Sequence, residues 1–348
     1  MLLRRDVIEY VSPTKSIGVH TDNPGLPGGF HRRPFLKKIR SFILKISITL
    51  CLLIFLFGKT DLGALFSVAR NADISKMLWA FILFVFLNFL VVLRWRLLLK
   101  GLSIPVSFGR LASSYMASLF FNLVLPSTVG GDAIRTMDIA GHTKTHSSGI
   151  LATVILDRMS GFFGLFTVLV CALIFGYGIF REENIFLVAF ILLLIMVFFA
   201  GIMFSGRFFK AVFGFLPFAK LKDYLHKIHQ ATRSFRHKMG ILAGAWFLSV
   251  IIQAGLSVLY YFFAQAIGLD MKFIYFLLFV PVITVFSVIP ISLGGLGVRD
   301  AACVAIFTKA GVVAEKALCL SLYNFGFMLV LGVLGGAIYV FNLYRRRI

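Results

Sequence analysis

The feature that most constrains this chain is a series of apolar stretches of about 17 to 25 residues that recurs along the sequence. A helix of that length crosses the hydrocarbon core of a bilayer, which is about 30 Å thick. Hydrophobic residues make up 59% of the chain, and the mean hydropathy is +0.95. The sequence therefore predicts an all-α, polytopic membrane protein.

The basic residues of the chain lie mainly between these apolar stretches. The formal net charge is +21, a value that would also suit a nucleic-acid-binding protein. Concentration of Lys and Arg in loops between spans is instead the pattern of membrane proteins, and it favours contact with anionic lipid headgroups. We therefore expect membrane lipids and no nucleic acid as partners. The 4 cysteines lie in apolar stretches without paired spacing, so no disulfide, metal or cofactor is predicted.

The polar and basic segments define the domain organisation. Residues 1–40 contain no apolar stretch and predict a flexible, basic cytoplasmic tail, whereas residues 41–348 form a single transmembrane domain. Within that domain, residues 205–238 interleave Lys and Arg with large apolar side chains. This pattern is typical of an interfacial amphipathic helix, which we expect to break at Pro217.

Two similar motifs interrupt the apolar stretches about 165 residues apart. Residues 125–135 read LPSTVGGDAIR and residues 289–300 read IPISLGGLGVRD. Each has a Pro, a Ser, a pair of glycines, and then an Arg with an acidic residue nearby. Broken backbone and charge are both costly inside a bilayer. We therefore expect the two motifs to line one site.

The distribution of Lys and Arg indicates how these motifs are placed. If every apolar stretch crossed the membrane, basic residues would be divided almost evenly between its two sides, against the positive-inside rule. A re-entrant hairpin over 109–147 from the cytoplasmic side restores the bias, and the repeated motif predicts a second hairpin over 273–312 from the opposite side. The six full crossings are then about 41–57, 77–93, 149–179, 184–204, 240–264 and 317–343. Both termini are cytoplasmic, and the arrangement is an inverted repeat.

The charged and glycine residues of the two hairpins predict an anion site. Arg135 and Arg299, with the backbone N–H groups of the glycine pairs, suit a phosphate; alternatively, these charges only hold the hairpins together. Asp157 and Arg158 lie inside a span, where ionisable residues are costly. Three roles stay open for them: coupling to an ion or proton gradient, completion of the cationic site, or a buried structural pair with a motif arginine. The candidate substrate-binding residues are Asn122, Ser127, Gly130, Gly131, Asp132, Arg135, Arg158, Ser292, Gly294, Gly295, Gly297, Arg299 and Asp300, and the candidate coupling residue is Asp157.

With these residues the chain resembles the flippase-like transmembrane domain of lysylphosphatidylglycerol synthases and its stand-alone relatives. The resemblance covers most of 40–343 and rests on residues 94–98, 122–135, 157–161 and 290–300. The family usually has Glu where this chain has Asp157 and Asp300, and an Arg common in the family near Tyr323 is absent. Since the sequence stops soon after its last span, we expect a stand-alone member without the aminoacyl-transferase domain. By itself, Arg94-Trp95-Arg96 predicts an interfacial anchor at the end of the second span.

The resemblance implies a transporter that moves an anionic phospholipid or a lipid-linked precursor between the leaflets of a bacterial or archaeal cytoplasmic membrane. We expect no enzymatic activity, and no nucleotide-binding motif is evident in the sequence. Two alternatives stay open. One is a membrane-embedded lipid-phosphate transferase that would use Asp132 and Asp138, and the other is a non-transporting scaffold whose partners are enzymes of cell-envelope biosynthesis.

Overall fold

Helices account for almost all of the chain that this computed structural model describes. The described residues are 46–58, 60–125, 130–143, 147–176, isolated positions between 187 and 201, 205–213, 219–288 and 295–345. The helices are α1 (Ile46–Gly58), α2 (Leu62–Arg70), α3 (Ile74–Gly101), α4 (Phe108–Val124), α5 (Gly130–Thr143), α6 (Ser147–Phe175), α7 (Gly206–Phe213), α8 (Ala219–Arg233), α9 (Met239–Ala266), α10 (Phe273–Val288), α11 (Val298–Lys309) and α12 (Ala314–Arg345), with a short 3-10 helix at Ser234–His237. No strand occurs within those ranges.

The long helices identify a multi-pass membrane protein. Among the described residues, 4 helices (α3, α6, α9 and α12) are long and apolar enough to cross a bilayer, and α1 with α2 adds a fifth if that pair, bent by 87°, is one span. Large apolar side chains such as Phe86 on α3 and Val333 on α12 are exposed, as lipid contact requires. The predicted crossings at 77–93, 149–179, 240–264 and 317–343 coincide with the four long helices. The predicted crossing at 41–57 coincides with α1 over its described part.

Three predicted features fall wholly or largely on residues that are not described. They are the cytoplasmic tail at 1–40, most of the crossing at 184–204, and the break at Pro217. Either side of Pro217, the predicted amphipathic segment forms α7 and α8.

The four long helices and the hairpins between them form two halves with the same pattern. In the first half, α3, α4, α5 and α6 have 28, 17, 14 and 29 residues. In the second half, α9, α10, α11 and α12 have 28, 16, 12 and 32 residues. The first helices of the halves, α3 and α9, are antiparallel: Lys238 Nζ donates to Gly101 O at one end, and Asp73 N donates to Ala266 O (2.9 Å) at the other. The two halves therefore have the same order of helices and begin in opposite directions, as the predicted inverted repeat requires.

Each half contains an antiparallel helical hairpin. In α4–α5, Arg110 at the start of one helix pairs with Asp138 towards the end of the other. In α10–α11, Phe307 near the end of the second helix packs on Phe276 and Phe279 of the first, with ring centroids 5.6 and 5.3 Å apart. The arms have 12 to 17 residues, no longer than the shortest helices that span a bilayer. Because α3 and α9 are antiparallel, the hairpins that follow them start from opposite ends of the bundle.

Close helix packing holds the first hairpin between the two halves. Glycines of α12 face α4, and a Cβ added at Gly335 would lie 2.1 Å from the carbonyl oxygen of Met116. Between α6 and α9, a Cβ at Gly164 would lie 2.5 Å from the carbonyl carbon of Ser249. Small residues at such contacts allow membrane helices to approach closely. The first hairpin is therefore in close contact with α12, and α6 with α9.

The predicted interfacial anchor at Arg94-Trp95-Arg96 is wrong. Arg94 is only 7% exposed and Trp95 is fully buried, with its indole N–H donating to Thr153 Oγ1 (3.2 Å). The reason is the length of α3, which continues to Gly101, two turns beyond the predicted end of the span. The triplet therefore lies within the helix bundle.

Candidate functional site between the two hairpins

A chain of buried ion pairs joins the first hairpin to two long helices. Arg135 of α5 contacts Asp132 Oδ1 at 3.0 Å and Asp157 Oδ2 at 3.3 Å. The other oxygen of Asp157 accepts from Arg94 Nε (2.7 Å), and the other oxygen of Asp132 accepts from Arg158 Nε (2.6 Å). Asp157 thus connects α3, α5 and α6. The expected structural pair between Asp157 and a motif arginine is confirmed, whereas its ion-coupling role stays a prediction.

Further contacts compensate the burial of these charges. Arg135 and Asp157 are each 3% exposed, and isolated charges at that depth would be very unfavourable. Arg94 also donates to Ser249 Oγ of α9 (2.8 Å). The guanidinium carbon of Arg135 lies 4.8 Å from the centre of the Trp95 ring, a favourable cation–π distance. The network therefore positions Arg135 from several sides.

The beginning of α5 is held by its own hairpin. Gly131 N donates to Asn122 Oδ1 at 3.0 Å. A Cβ at Gly131 would lie 2.2 Å from Ser118 O, so only glycine allows α4 and α5 to approach this closely. The N–H group that the sequence assigns to a phosphate is thus bonded to Asn122 in this conformation. The predicted phosphate contact stays a prediction.

The second motif forms a smaller buried network of the same kind. Arg299 donates to Asp300 Oδ1 (2.8 Å) and to Ser321 Oγ (2.9 Å). Asp300 Oδ2 accepts from the backbone N–H of Gly297 (2.9 Å), a residue whose φ of +81° favours glycine. Ser321 lies on α12 as Asp157 lies on α6. In both halves, then, the motif arginine binds the long helix that follows its own hairpin.

Two adjoining cavities connect these networks. The first has a volume of about 220 Å³ and contains the ion pairs around Arg135, and the second, of about 300 Å³, reaches Arg299. They share the lining residues Val91, Tyr115, Leu119, Asn122, Arg158 and Thr284, and are therefore contiguous. These residues come from α3, α4, α6 and α10, so both hairpins contribute to the lining that the two cavities share.

The charges around the first cavity leave an excess of positive charge. Its charged lining residues, within the described chain, are Arg94, Arg135, Arg158, Asp132 and Asp157, which gives a formal charge of +1. The second cavity is lined by Arg158 and by Arg299, whose charge is paired with that of Asp300. The Arg158 side chain is 37% exposed, against 4% for Arg135. Arg158 is therefore the more accessible cation, and its guanidinium suits a phosphate or carboxylate.

The family of the chain follows from comparison with known proteins. The sequence matches the family described as the lysylphosphatidylglycerol synthase TM region over residues 42–336, a range that includes both hairpins. The chain belongs to this family. It is 24% identical over 302 residues to a UPF0104 membrane protein of Pyrococcus horikoshii, with 80% of this chain and 89% of that protein covered. A UPF0104 membrane protein of Methanothermobacter thermautotrophicus is 22% identical over 271 residues, with 72% and 80% covered.

Membership confirms the resemblance that the motifs carried, and the site residues of this family member can now be placed. Around the first cavity lie Asn122, Asp132, Arg135, Asp157 and Arg158, with Gly130 and Gly131 at the start of α5. Arg299 lines the second cavity. Gly295, Gly297 and Asp300 lie at or just before the start of α11, the helix that carries Arg299. Ser127, Ser292 and Gly294 are outside the described residues.

Sequence reasoning missed several residues of the site. They are Arg94, Tyr115, Ser249 and Ser321. For Arg94 a signal existed, because a cation on a long apolar helix needs a buried counter-charge and Asp157 was the available acid. For Ser249 and Ser321 we find no comparable signal, since single serines are common in membrane helices.

Proposed function

We propose that the protein moves a lipid with an anionic headgroup between the two leaflets of a prokaryotic cytoplasmic membrane. The headgroup enters the joined cavities while the acyl or polyprenyl tails stay in the surrounding lipid. The observation that carries the proposal is the pair of adjoining cavities between two opposed hairpins, with an excess positive charge around the first cavity and Arg158 lining both. Membership of a family named after a lipid-modifying synthase supports a role with membrane lipids.

The inverted repeat supplies a mechanism of alternating access. Inverted halves built around broken helices are typical of transporters that open a central site to one side and then to the other. The two hairpins start from opposite ends of the bundle, and each is bound to the long helix that follows it. Moving one hairpin relative to the long helix that follows it would open the cavities towards the side of the membrane from which that hairpin starts.

Within this mechanism, the arginines have different roles. Arg158 makes the first contact with the headgroup, by exchanging part of its interaction with Asp132 for the phosphate. Arg135 and Arg299, which are deeply buried, hold the hairpins in the closed arrangement and reach the phosphate as a hairpin moves. The proposal includes no chemical change in the lipid, so transport follows a lipid gradient or an ion gradient. For the latter, protonation of Asp157 would remove the charge that joins α3, α5 and α6.

The orientation of the protein is also part of the proposal. Lys100 at the end of α3, Arg110 at the start of α4, and the Lys and Arg residues of α7, α8 and the 3-10 helix lie at the end of the bundle where the first hairpin starts. Among the described residues, they outnumber the Lys and Arg at the opposite end, which are Arg70, Lys76, Lys272, Lys309 and Lys316. The positive-inside rule makes this end cytoplasmic. Both termini are then on the cytoplasmic side.

Translocation by the Arg158→Gln variant tests the function. The full chain is reconstituted in liposomes with a fluorescent anionic lipid, and its exchange between leaflets is followed by quenching from one side. A hydrogen bond to a charged group contributes about 1.5–3 kcal/mol, so we expect translocation about 10- to 100-fold slower. Lys100→Gln, which makes the same charge change at an exposed residue outside both cavities, should leave the rate unchanged. Wild-type translocation by Arg158→Gln would contradict the proposal, as would chemical conversion of the lipid by the purified protein.

A further inference from the structure

Away from the central cavities, the structure contains a strongly basic cleft between α7, the end of α8 and the 3-10 helix. Its volume is about 760 Å³. The basic lining residues are Arg207, Lys210, Arg233 and Arg236, and the others are Gly201, Ser205 and Gly206. No acidic residue is part of this lining within the described chain. We refer to this surface as the basic cleft.

The basic cleft is a built feature because α7 packs firmly on α8. Phe209 of α7 is buried and stacks on the ring of His229, with 4.3 Å between ring centres. This contact places Arg207 and Lys210, one turn apart on α7, in the same cleft as Arg233 at the end of α8 and Arg236 of the 3-10 helix. The four basic side chains line one cleft, and an anion bound in it would be attracted by all of them.

The position of the basic cleft relates it to the site helices. The 3-10 helix inserts the fully buried Phe235 into a cluster with Leu98 of α3, Leu156 of α6 and Ala245 of α9. Leu156 directly precedes Asp157 of the central network. The basic cleft therefore lies at the end of the bundle where the first hairpin starts. The 3-10 helix that forms one of its walls packs against helices that line the first cavity.

The surroundings of the basic cleft favour a membrane lipid over a soluble anion. Phe208, next to Arg207 on α7, is 51% exposed, and α7 carries basic and large apolar side chains together. Exposed aromatic residues beside Lys and Arg are typical of helices that lie in the interface of a bilayer. We propose that the basic cleft is a second binding site, separate from the central cavities, for the phosphate-bearing headgroup of an anionic phospholipid in the adjacent leaflet.

Lipid binding by the full chain in neutral detergent tests this site without measuring transport. Short-chain phosphatidylglycerol is titrated, and bound lipid is counted by native mass spectrometry. Each Lys or Arg near an anionic lipid surface contributes a factor of about five, so Arg207→Gln with Lys210→Gln should weaken binding at one site about 25-fold. The matched control, Arg70→Gln with Lys309→Gln, removes the same charge from exposed positions outside the basic cleft and should bind as the wild type does.

Several outcomes would overturn the proposal. Equal binding by the wild type and the Arg207–Lys210 variant would show that the basic cleft holds no lipid. An equal loss in the Arg70–Lys309 control would show attraction to net charge alone. Equal binding of short-chain phosphatidylcholine would exclude recognition of an anionic headgroup. Displacement of the lipid by an equal concentration of inorganic phosphate or of a short oligonucleotide would assign the basic cleft to a soluble anion or to nucleic acid.

Discussion

Replacing Asp157 by Asn perturbs the network at the point where three helices meet. The carboxylate accepts from Arg94 Nε at 2.7 Å and from the two Nη atoms of Arg135 at 3.3 and 3.4 Å. Asparagine keeps the shape of the side chain but removes its charge and presents an amide NH₂ to one guanidinium. Two buried arginines would then lose their shared counter-charge.

The expected loss of folding free energy depends on the contacts that Arg94 and Arg135 keep in the variant. Removing one partner of a buried ion pair costs about 3–5 kcal/mol of folding free energy. Arg94 keeps its bond to Ser249 (2.8 Å) and Arg135 keeps Asp132 (3.0 Å), so we expect about 3 kcal/mol, at the lower end of this range. A neutral hydrogen bond between membrane helices averages only about 0.6 kcal/mol. A loss near the expected value would therefore identify uncompensated charge as the cause.

Equilibrium unfolding of the full chain in mixed micelles measures this loss. Asp157→Glu is the matched control, because it keeps the charge, and it should cost less than about 1 kcal/mol if the longer side chain is accommodated. Adding Arg94→Gln to Asp157→Asn should cost less than the sum of the single changes, since the double variant removes one of the uncompensated arginines. Losses below about 1 kcal/mol for Asp157→Asn, or equal losses for Asn and Glu, would refute the reasoning.

Two further predictions concern packing and topology. Gly164→Val should destabilise the protein by about 1–3 kcal/mol, as measured by the same unfolding assay, because the new side chain would meet the backbone of Ser249. The control Gly109→Ala should be tolerated, because a Cβ added at Gly109 would lie in open space. In a cysteine-free background, Gly141→Cys and Lys309→Cys, near the bases of the first and second hairpins, should react with a membrane-impermeant thiol reagent from opposite sides, and labelling of both from one side would contradict opposed hairpins.

The two hairpins were predictable because the signals that break the apolar helices are local. In the first motif α4 ends at Val124 and α5 begins at Gly130, so the helix break coincides with the residues that predict it. Glycine is required at Gly131 and Gly297 by close approach and by positive φ, respectively. Such requirements are visible in a few consecutive residues.

The partners of the buried charges were not predictable in the same way. Arg94 lies 63 residues from Asp157 and 155 residues from Ser249 along the chain. These contacts depend on the rotation and register of long helices, which an apolar pattern leaves open. An Arg-Trp-Arg triplet can occur both at a membrane interface and inside a helix bundle, so its residues alone do not show where it lies. Its location follows from the length of α3, which continues to Gly101.

The sequence also gives no ranking among the arginines of the site. Arg135 and Arg299 stand out because they belong to the repeated motif, yet both are buried in ion pairs. Arg158, outside the motif, has the most exposed side chain of the three. Burial, and hence accessibility to a headgroup, is a property of the packed structure and not of the motif.

Reversible cross-linking across the cavities tests most directly the central claim that a lipid headgroup passes between the hairpins. Leu119 of α4 and Thr284 of α10 line both cavities, and cysteines at these positions can be joined by a cleavable, flexible thiol cross-linker in a cysteine-free background. In proteoliposomes, the cross-link should stop translocation of the anionic lipid, and cleavage of the linker should restore it. Translocation that continues at the same rate with the linker in place would contradict the account.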